Sequence, residues 1–362
     1  MSGKHPCRGA AQAYTVGATE DRIARQVSGR RTGSPTAIKI TDVADAAGVA
    51  PMTVSRVINT PDRVSAPTRL KVQAAIDKLG YVPNLIAGGL SSRRSRMIAA
   101  IVPTIASPMF AGPVQSFTDT LGAAGYRVML ALSGYDPATD AELIRAVLAR
   151  RPDALLLTGA QRSPAATRLL REAQVPVVEI WDAAETPTDM LVGFDHTLVG
   201  AAVADYFLGR GHTEFAVLAA SDPRGMARAD GFARRVRELG FPIHVGPPLP
   251  APSGIADGRA GLRALAPQMR GRTALLCSSD LVAFGALTEA RLLGLSVPDQ
   301  LAVCGFGNFE ISQASAPPFT TVAVDGVAMG RIAAESLLRR LAGEPTETRV
   351  LVPFEIITRG ST

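Results

Sequence analysis

From Lys39 onward, apolar residues recur at helical spacing. Ile40-Thr-Asp-Val-Ala-Asp-Ala-Ala47 predicts a short helix with Thr41 at its N-cap and acidic residues in its first turn. Gly48 breaks it, because glycine takes the φ > 0 backbone that a tight inter-helix turn requires. Pro51 to Asn59 predicts a second helix, with proline in the first turn where its missing N–H costs little. Ser65 is expected to cap a third, Ala66 to Leu79, with Leu70, Val72, Ile76 and Leu79 marking a buried face before Gly80 stops it. The segment Leu85 to Ser92 holds Gly88 and Gly89, each costing a helix about 1 kcal/mol relative to alanine.

After Met97 the pattern changes to β/α alternation. Strand-like runs are Met97–Val102, Val128–Leu132, Ala154–Leu157, Val175–Ile180, Leu191–Phe194, Phe215–Ala219, Ala274–Cys277 and Leu301–Cys304. Helical patterns such as Asp140–Arg151, Thr197–Arg210 and Leu281–Leu293 lie between most of them. Continuous apolar strands separated by helices predict parallel sheets covered on both faces. There are too many strands for one small sheet, so two Rossmann-like lobes are expected.

Composition narrows the class. Of 362 residues, 47% are hydrophobic and 19% charged, which supports a buried core and excludes global disorder. No apolar run approaches the roughly 18 residues of a membrane span, and the N-terminus lacks the apolar stretch of a secretory signal. Cys7, Cys277 and Cys304 are too far apart for a disulfide framework or zinc knuckle and suit a reducing cytoplasm. Charge is uneven. Residues 1–96 carry 15 Lys and Arg against 6 Asp and Glu, while the rest carries 23 against 26. A basic head on a mildly acidic body points to a polyanion met through one end of the chain.

The strongest local motif runs from Asp42 to Asn59. Small residues Ala44, Ala47 and Gly48, with Val49, Val54 and Val57, let two helices cross closely, as in a helix-turn-helix whose second helix enters a major groove. Its outward positions are Pro51, Met52, Thr53, Ser55, Arg56 and Asn59. Arg56 suits a bidentate contact to guanine, Thr53 and Ser55 reach phosphate or base edges, and Met52 suits a thymine methyl.

The stretch from Ile40 to Asn59, followed by Arg63-Val-Ser65 and Gly80-Tyr-Val-Pro-Asn84, resembles the lactose/galactose-repressor (LacI/GalR) family. The resemblance runs from about Lys39 to the C-terminus. It implies a small all-α helix-turn-helix headpiece and an α/β two-lobed core like that of periplasmic binding proteins, with two parallel sheets. Residues 1–35, rich in Gly, Ser, Thr, Ala and Arg without an apolar period, read as a disordered basic extension; the resemblance implies a headpiece at 36–83, a hinge helix and linker at 84–96, and a core at 97–362. Within the core, one lobe takes about 97–193 plus 320–343 and the other about 194–319 plus 344–360. Thr41, Arg63 and Ser65 join the DNA-contacting set. Asn84, Ala87 and Leu90 fall on the hinge helix, with Leu90 as a minor-groove wedge. Two departures are noted: Ala50 where relatives often have a serine cap, and the glycine pair in the hinge.

Segments Met129–Tyr135, Val175–Asp182, Asp189–Asp195 and Gly209–His212 resemble the gluconate-utilisation repressors, which implies a sugar acid or its phosphate as effector. Arg228 occupies the family's effector-binding arginine position and suits a carboxylate. Phe110 and Phe194 match positions that cover a sugar ring. Ser279 and Asp280 stand where relatives carry Asn-Asp, so Asp280 is expected to accept sugar hydroxyls. Asn308 lies beside the usual aspartate position, here Gly307, and Trp181 and Asp182 end a strand facing the cleft.

Enzymatic signatures are missing: there is no G-x-G-x-x-G, P-loop or G-x-S-x-G, and His5, His196, His212 and His244 lack metal spacing. The sequence reads as a cytoplasmic, cofactor-free, sugar-acid-responsive repressor. The resemblance implies that it binds a double-stranded operator as a homodimer, and by family analogy the lack of a zipper-like extension after Arg359 favours a dimer over a tetramer; no membrane contact is expected. The alternative is a sugar-binding protein for transport on the same two-lobed core. It predicts an export signal and no headpiece.

Overall fold

The computed structural model describes residues 38–82, 95–136, 138–159 and 162–362. The chain divides into two compact units, Met1–Arg93 and Arg94–Thr362. The proposed extension at 1–35 and the hinge residues Asn84, Ala87 and Leu90 lie outside the described residues.

Among the described residues, the first unit holds α1 (Ile40–Ala47), α2 (Pro51–Asn59), a 3-10 turn (Pro61–Arg63) and α3 (Ala66–Leu79). Gly48 ends α1 and Gly80 ends α3, both left-handed at φ 64° and 65°. Val43 and Ala44 of α1, Val54 and Val57 of α2, and Val72 and Ala75 of α3 form the buried core. With so few and such small side chains, each valine contributes about 1.5 kcal/mol or more of burial. Two expectations are corrected, and a third, Ser65 as N-cap of α3, holds by position alone. Thr41 is not the N-cap: Lys39 holds that position, and its N–H donates to Asp42 Oδ2 at 2.7 Å. Leu70 is 73% exposed, because Val72 and Ala75 take the inward stripe of α3. Ser65 does precede α3, but its hydroxyl pairs with Thr68 Oγ1 at 2.9 Å and not with a helix N–H.

The second unit has two six-stranded sheets. The first runs β11-β5-β4-β3-β1-β2 and the second β12-β10-β9-β8-β6-β7. Their strands are β1 (Met97–Val102), β2 (Arg127–Leu132), β3 (Ala154–Thr158), β4 (Val177–Ile180), β5 (Met190–Gly193), β6 (Glu214–Leu218), β7 (Ile243–Val245), β8 (Thr273–Cys277), β9 (Leu301–Phe306), β10 (Thr320–Val324), β11 (Arg349–Leu351) and β12 (Phe354–Ile357). Every pairing is parallel except β10 with β12. Helices α4 (Pro108–Ala123), α5 (Asp140–Leu148), α6 (Pro164–Ala173), α7 (His196–Gly209), α8 (Pro223–Glu238), α9 (Ile255–Leu265), α10 (Asp280–Leu292), α11 (Glu310–Ala314) and α12 (Gly326–Ala342) complete it.

Alternation along the strands explains the double cover. Ile98 and Ala100 share a cluster with Phe117 and Leu121 of α4 and with Met329 and Ala333 of α12. Ala99 and Ile101 turn the other way, onto Ile144 and Val147 of α5 and Leu170 of α6. In the second sheet Phe215 and Val217 meet Val203, Phe207 and Phe232 of α7 and α8. Ala216 and Leu218 meet Leu262 of α9 and Ala286 of α10. A period of two with both faces buried is what reads as an unbroken apolar run.

The lobe boundaries need correction. β10 belongs to the second sheet although 320–343 was expected in the first lobe, where only α12 of that stretch packs, against β3, β4 and β5. β11 pairs with β5 in the first sheet although 344–360 was expected in the second lobe. The chain therefore crosses after β5, after β10 and after β11, because the last strands complete opposite sheet edges. The end of the expected linker is pinned: Asp153 accepts Ser95 N–H at 2.7 Å and Arg96 N–H at 2.9 Å. Among the described residues, no helix is long and apolar enough to cross a membrane.

Candidate functional site

In the first unit, Val54 and Val57 anchor α2, leaving its other face outward. Pro51, Met52 (62% exposed), Arg56 and Asn59 are exposed, and Thr53 and Ser55 are half-buried. Asn59 Nδ2 donates to the Ser55 carbonyl at 3.0 Å and to the Ser55 hydroxyl at 3.3 Å, so these two side chains act as a pair on one helix face. Thr41, Arg63 and Ser65 are also exposed. Arg56 is the one charged side chain of α2, and no acidic residue stands in its first turn. Such a face can offer hydrogen-bond donors and a cation to base edges and phosphates.

In the second unit, the cleft lies at the C-terminal ends of strands from both sheets, the usual place for ligands in parallel α/β architectures. The first lobe supplies Ser107, Met109 and Phe110 at the start of α4, and Tyr135 after β2. The second supplies Asp222, Arg224 and Arg228 of the α8 region, with Ser278 and Ser279 after β8. Asp222 caps α8, accepting from the Arg224 and Gly225 N–H groups at 3.1 and 3.0 Å, which places Arg224 in the first turn and Arg228 one turn further in. Helix α8 lies hard against α7. A Cβ on Gly200 would come 2.1 Å from the Arg228 carbonyl oxygen, and one on Gly231 2.2 Å from that of Thr197.

Arg228 is 3% exposed and its guanidinium is held on several sides. Nη1 donates to His196 Nδ1 and Nη2 to the Ser278 carbonyl, each at 2.8 Å. Its carbon centre lies 4.0 Å from the Phe306 ring centroid. The buried Nε has no hydrogen-bond partner, a donor that a ligand could satisfy. Burial pulls the Arg228 pKa down to about 10, with Asp222 opposing and Arg224 reinforcing the shift, so it stays cationic at neutral pH. Burial, then Arg228 and Arg224, hold His196 well below the usual imidazole range. Arg224 lies over Phe110 at 5.6 Å. Burial and then Asp222 raise the Tyr135 hydroxyl pKa. The charged groups lining this cleft, among the described residues, are two arginines and one aspartate.

Phe110, Arg228 and Ser279 line this cleft, and Trp181 lines an adjoining apolar pocket with Phe306 and Phe309. Ser279 uses its hydroxyl to cap α10 at Val282 N–H, 3.3 Å. Asp182 Oδ1 lies 3.9 Å from His196 Nε2. Three expectations fail on packing. Phe194 is 2% exposed, wedged between Trp181 and Phe306 at 5.7 and 6.0 Å, and forms core beneath the cleft. Asp280 is fully buried, with Oδ1 accepting from the Thr321 hydroxyl and Oδ2 from Phe309 N–H, so it holds loops together and offers nothing to sugar hydroxyls. Asn308 Oδ1 accepts from Arg359 at 2.7 Å and serves the same scaffold. Arg224, Asp222, Tyr135, Ser107 and His196 were not anticipated. Asp222-Pro-Arg224 carries a helix-start signature that places Arg224 in a first turn, while Ser107 and Tyr135 sit in loops marked only by following a strand.

A helix-turn-helix unit together with a two-lobed, cation-lined ligand core defines the class, a DNA-binding regulator with a small-molecule cleft. Residues 39–84 match the lacI family of bacterial regulatory proteins, and residues 204–362 match a periplasmic binding protein-like domain. The chain is 34% identical over 314 residues to the HTH-type transcriptional regulator GntR of Escherichia coli K12, covering 86% of this chain and 94% of that regulator. It is similar in structure to a LacI family transcriptional regulator from Silicibacter pomeroyi, at TM-score 0.84 and 30% identity over 90% of this chain and 99% of that one. It is similar also to the lac repressor dimer bound to operator and the anti-inducer ONPF, at TM-score 0.76 and 25% identity, over 90% and 99% of the two chains. The chain belongs to the LacI family, and it is a transcriptional regulator that binds DNA through its helix-turn-helix unit.

Proposed function

We propose that this regulator is a repressor whose hold on a pseudopalindromic operator is released by gluconate or its phosphate, bound between the lobes. The observation that carries this reading is the charge of the cleft: Arg224 and Arg228 face a single lining carboxylate, Asp222. Arg228 is already desolvated and oriented, so a ligand carboxylate meets a cation whose ordering cost is paid by the fold. The segments that resemble the gluconate-utilisation repressors support a sugar-acid effector, and the 34% identity to the regulator GntR supports the regulatory role.

In this reading Arg56 reads a base edge, with Thr53, Ser55 and Met52 beside it. Pro51, Asn59, Thr41, Arg63 and Ser65 set the helix on the groove, and Asn84, Ala87 and Leu90 contact the minor groove as a homodimer's paired hinges. Ligand binding shifts the lobe angle only because the two lobe arrangements bind ligand and operator unequally. The chain binds and releases its ligands unchanged, is not an enzyme, and works in the cytoplasm. The transport alternative leaves the helix-turn-helix unit without a role.

Calorimetry of the full chain with gluconate and with its 6-phosphate tests the proposal. One of the two is expected to bind. Arg228→Ala should lower that affinity by roughly a hundredfold while leaving operator binding intact. Binding of neither acid, or undiminished affinity in the variant, would contradict it.

A further inference from the structure

We infer that His196 is a positioning residue that links the effector arginine Arg228 to the end of β4 in the opposite lobe, so that a ligand's hold on Arg228 is passed to the angle between the lobes. The inference rests on the function proposed above and supplies its site with a means of regulation.

Hydrogen-bond chemistry sets the direction of the link. Arginine has donors only, so His196 Nδ1 accepts from Arg228 Nη1 at 2.8 Å. The ring proton therefore sits on Nε2, which donates to the Trp181 carbonyl oxygen at 2.7 Å. Arg228 rides on α8 against the second sheet, whereas Trp181 directly follows β4 of the first. His196 opens α7 just beyond the first crossing of the chain between sheets. The other anchor of the guanidinium, the Ser278 carbonyl, belongs to its own lobe. Motion of Arg228 is thus transmitted across the cleft through one imidazole.

The surroundings fix that imidazole. It is 5% exposed, and its centroid lies 4.4 Å from the Phe194 ring. Trp181 has φ 76°, a backbone state rare for a large side chain and kept only where neighbours hold it. Gly193 makes room for that bend, since a Cβ there would lie 1.9 Å from the Asp182 carbonyl oxygen. The ionisable groups facing the ring are Arg228 and Arg224 from α8 and Asp182 after β4. The two arginines and burial keep the ring neutral, which the link requires, because a proton on Nδ1 would oppose Arg228.

Two substitutions separate the halves of the link. His196→Asn keeps an acceptor near the Nδ1 position and loses the donor; His196→Gln keeps a donor near Nε2 and loses the acceptor. In the full chain with operator duplex and gluconate, the asparagine variant should bind gluconate within about threefold of the parent yet lose about tenfold in operator release. The glutamine variant should lose about tenfold in gluconate affinity itself. Parent-like binding and release in both, or equal losses of both quantities in both, would overturn the link.

A ligand-free readout decides independently. Trp181 is the only tryptophan of the chain, and a proton gained by the imidazole bonded to its backbone carbonyl is read as quenching of indole emission. Arg228→Met frees Nδ1 and removes a neighbouring cation, so the midpoint of acid quenching should move to higher pH; an unmoved midpoint overturns the link. If the parent binds neither gluconate nor its 6-phosphate, the proposed function fails, and the quenching midpoint still settles the role of His196.

Discussion

Two arginines set the two working regions of this chain apart. Arg56 projects from α2 into solvent, on a helix held in place by residues that do nothing else. Arg228 is buried, with His196, Ser278 and Phe306 as partners inside its own chain. In the head, fold and function occupy opposite helix faces and are separable. In the cleft, the residues proposed to bind ligand are themselves held by core partners, so fold and site share the same side chains. A surface that reads another macromolecule needs exposed, adaptable donors. A site for a small anion needs desolvated donors ordered in advance.

The largest expected effect attacks the scaffold of the head. Val54→Asp places an unpaired carboxylate among five other small buried side chains and should cost about 4 kcal/mol or more, unfolding the head and abolishing operator binding. Calorimetric melting should show the core transition unchanged. A core that melted earlier as well would break the separation.

The next effect lies in the scaffold of the cleft. Burial pushes the Asp280 pKa up to about 6 from 3.8, with the Thr321 hydroxyl and Phe309 N–H opposing the shift. A carboxyl raised on folding binds more protons in the native state, so its contribution favours folding as pH falls from about 6 to 4. The stability of the parent relative to Asp280→Asn should therefore rise by up to about 3 kcal/mol across that window. Denaturant titrations at several pH values measure it, and a flat difference would show that this carboxyl is not desolvated. The smallest effect is at Arg56. Arg56→Ala should cost about 1–3 kcal/mol of operator preference and change head stability by no more than about 0.5 kcal/mol. Equal losses on operator and random duplex would remove its base-reading role.

The head was legible because its signals are local. Val54 and Val57 of α2 lie close behind the left-handed Gly48, and the left-handed Gly80 directly follows the last residue of α3. Leu70 misled because an apolar residue at near-helical spacing need not face inward when Val72 and Ala75 already fill the space. The eight strands that are apolar throughout or nearly so were legible for the same reason. β7, β11 and β12 were not, being edge strands of three or four residues with half-exposed positions, and β10 begins with two buried threonines that hydropathy does not mark. The cleft was least legible. Asp280 and Asn308 looked like ligand acceptors, but their partners Thr321 and Arg359 lie 41 and 51 residues away. Ser107 and Tyr135 reach the cleft from loops without periodicity, and only the rule that ligands gather at the C-terminal ends of parallel strands points to them.

Fluorescence anisotropy of the purified full chain is the most direct test, at fixed salt, on a duplex enriched by selection from a random pool and on its scrambled counterpart, with and without whichever of gluconate and its 6-phosphate the chain binds. The account predicts a preference of roughly a thousandfold or more for the selected duplex, largely lost when the acid is added. Equal affinity for both duplexes, indifferent to the acid, would contradict it.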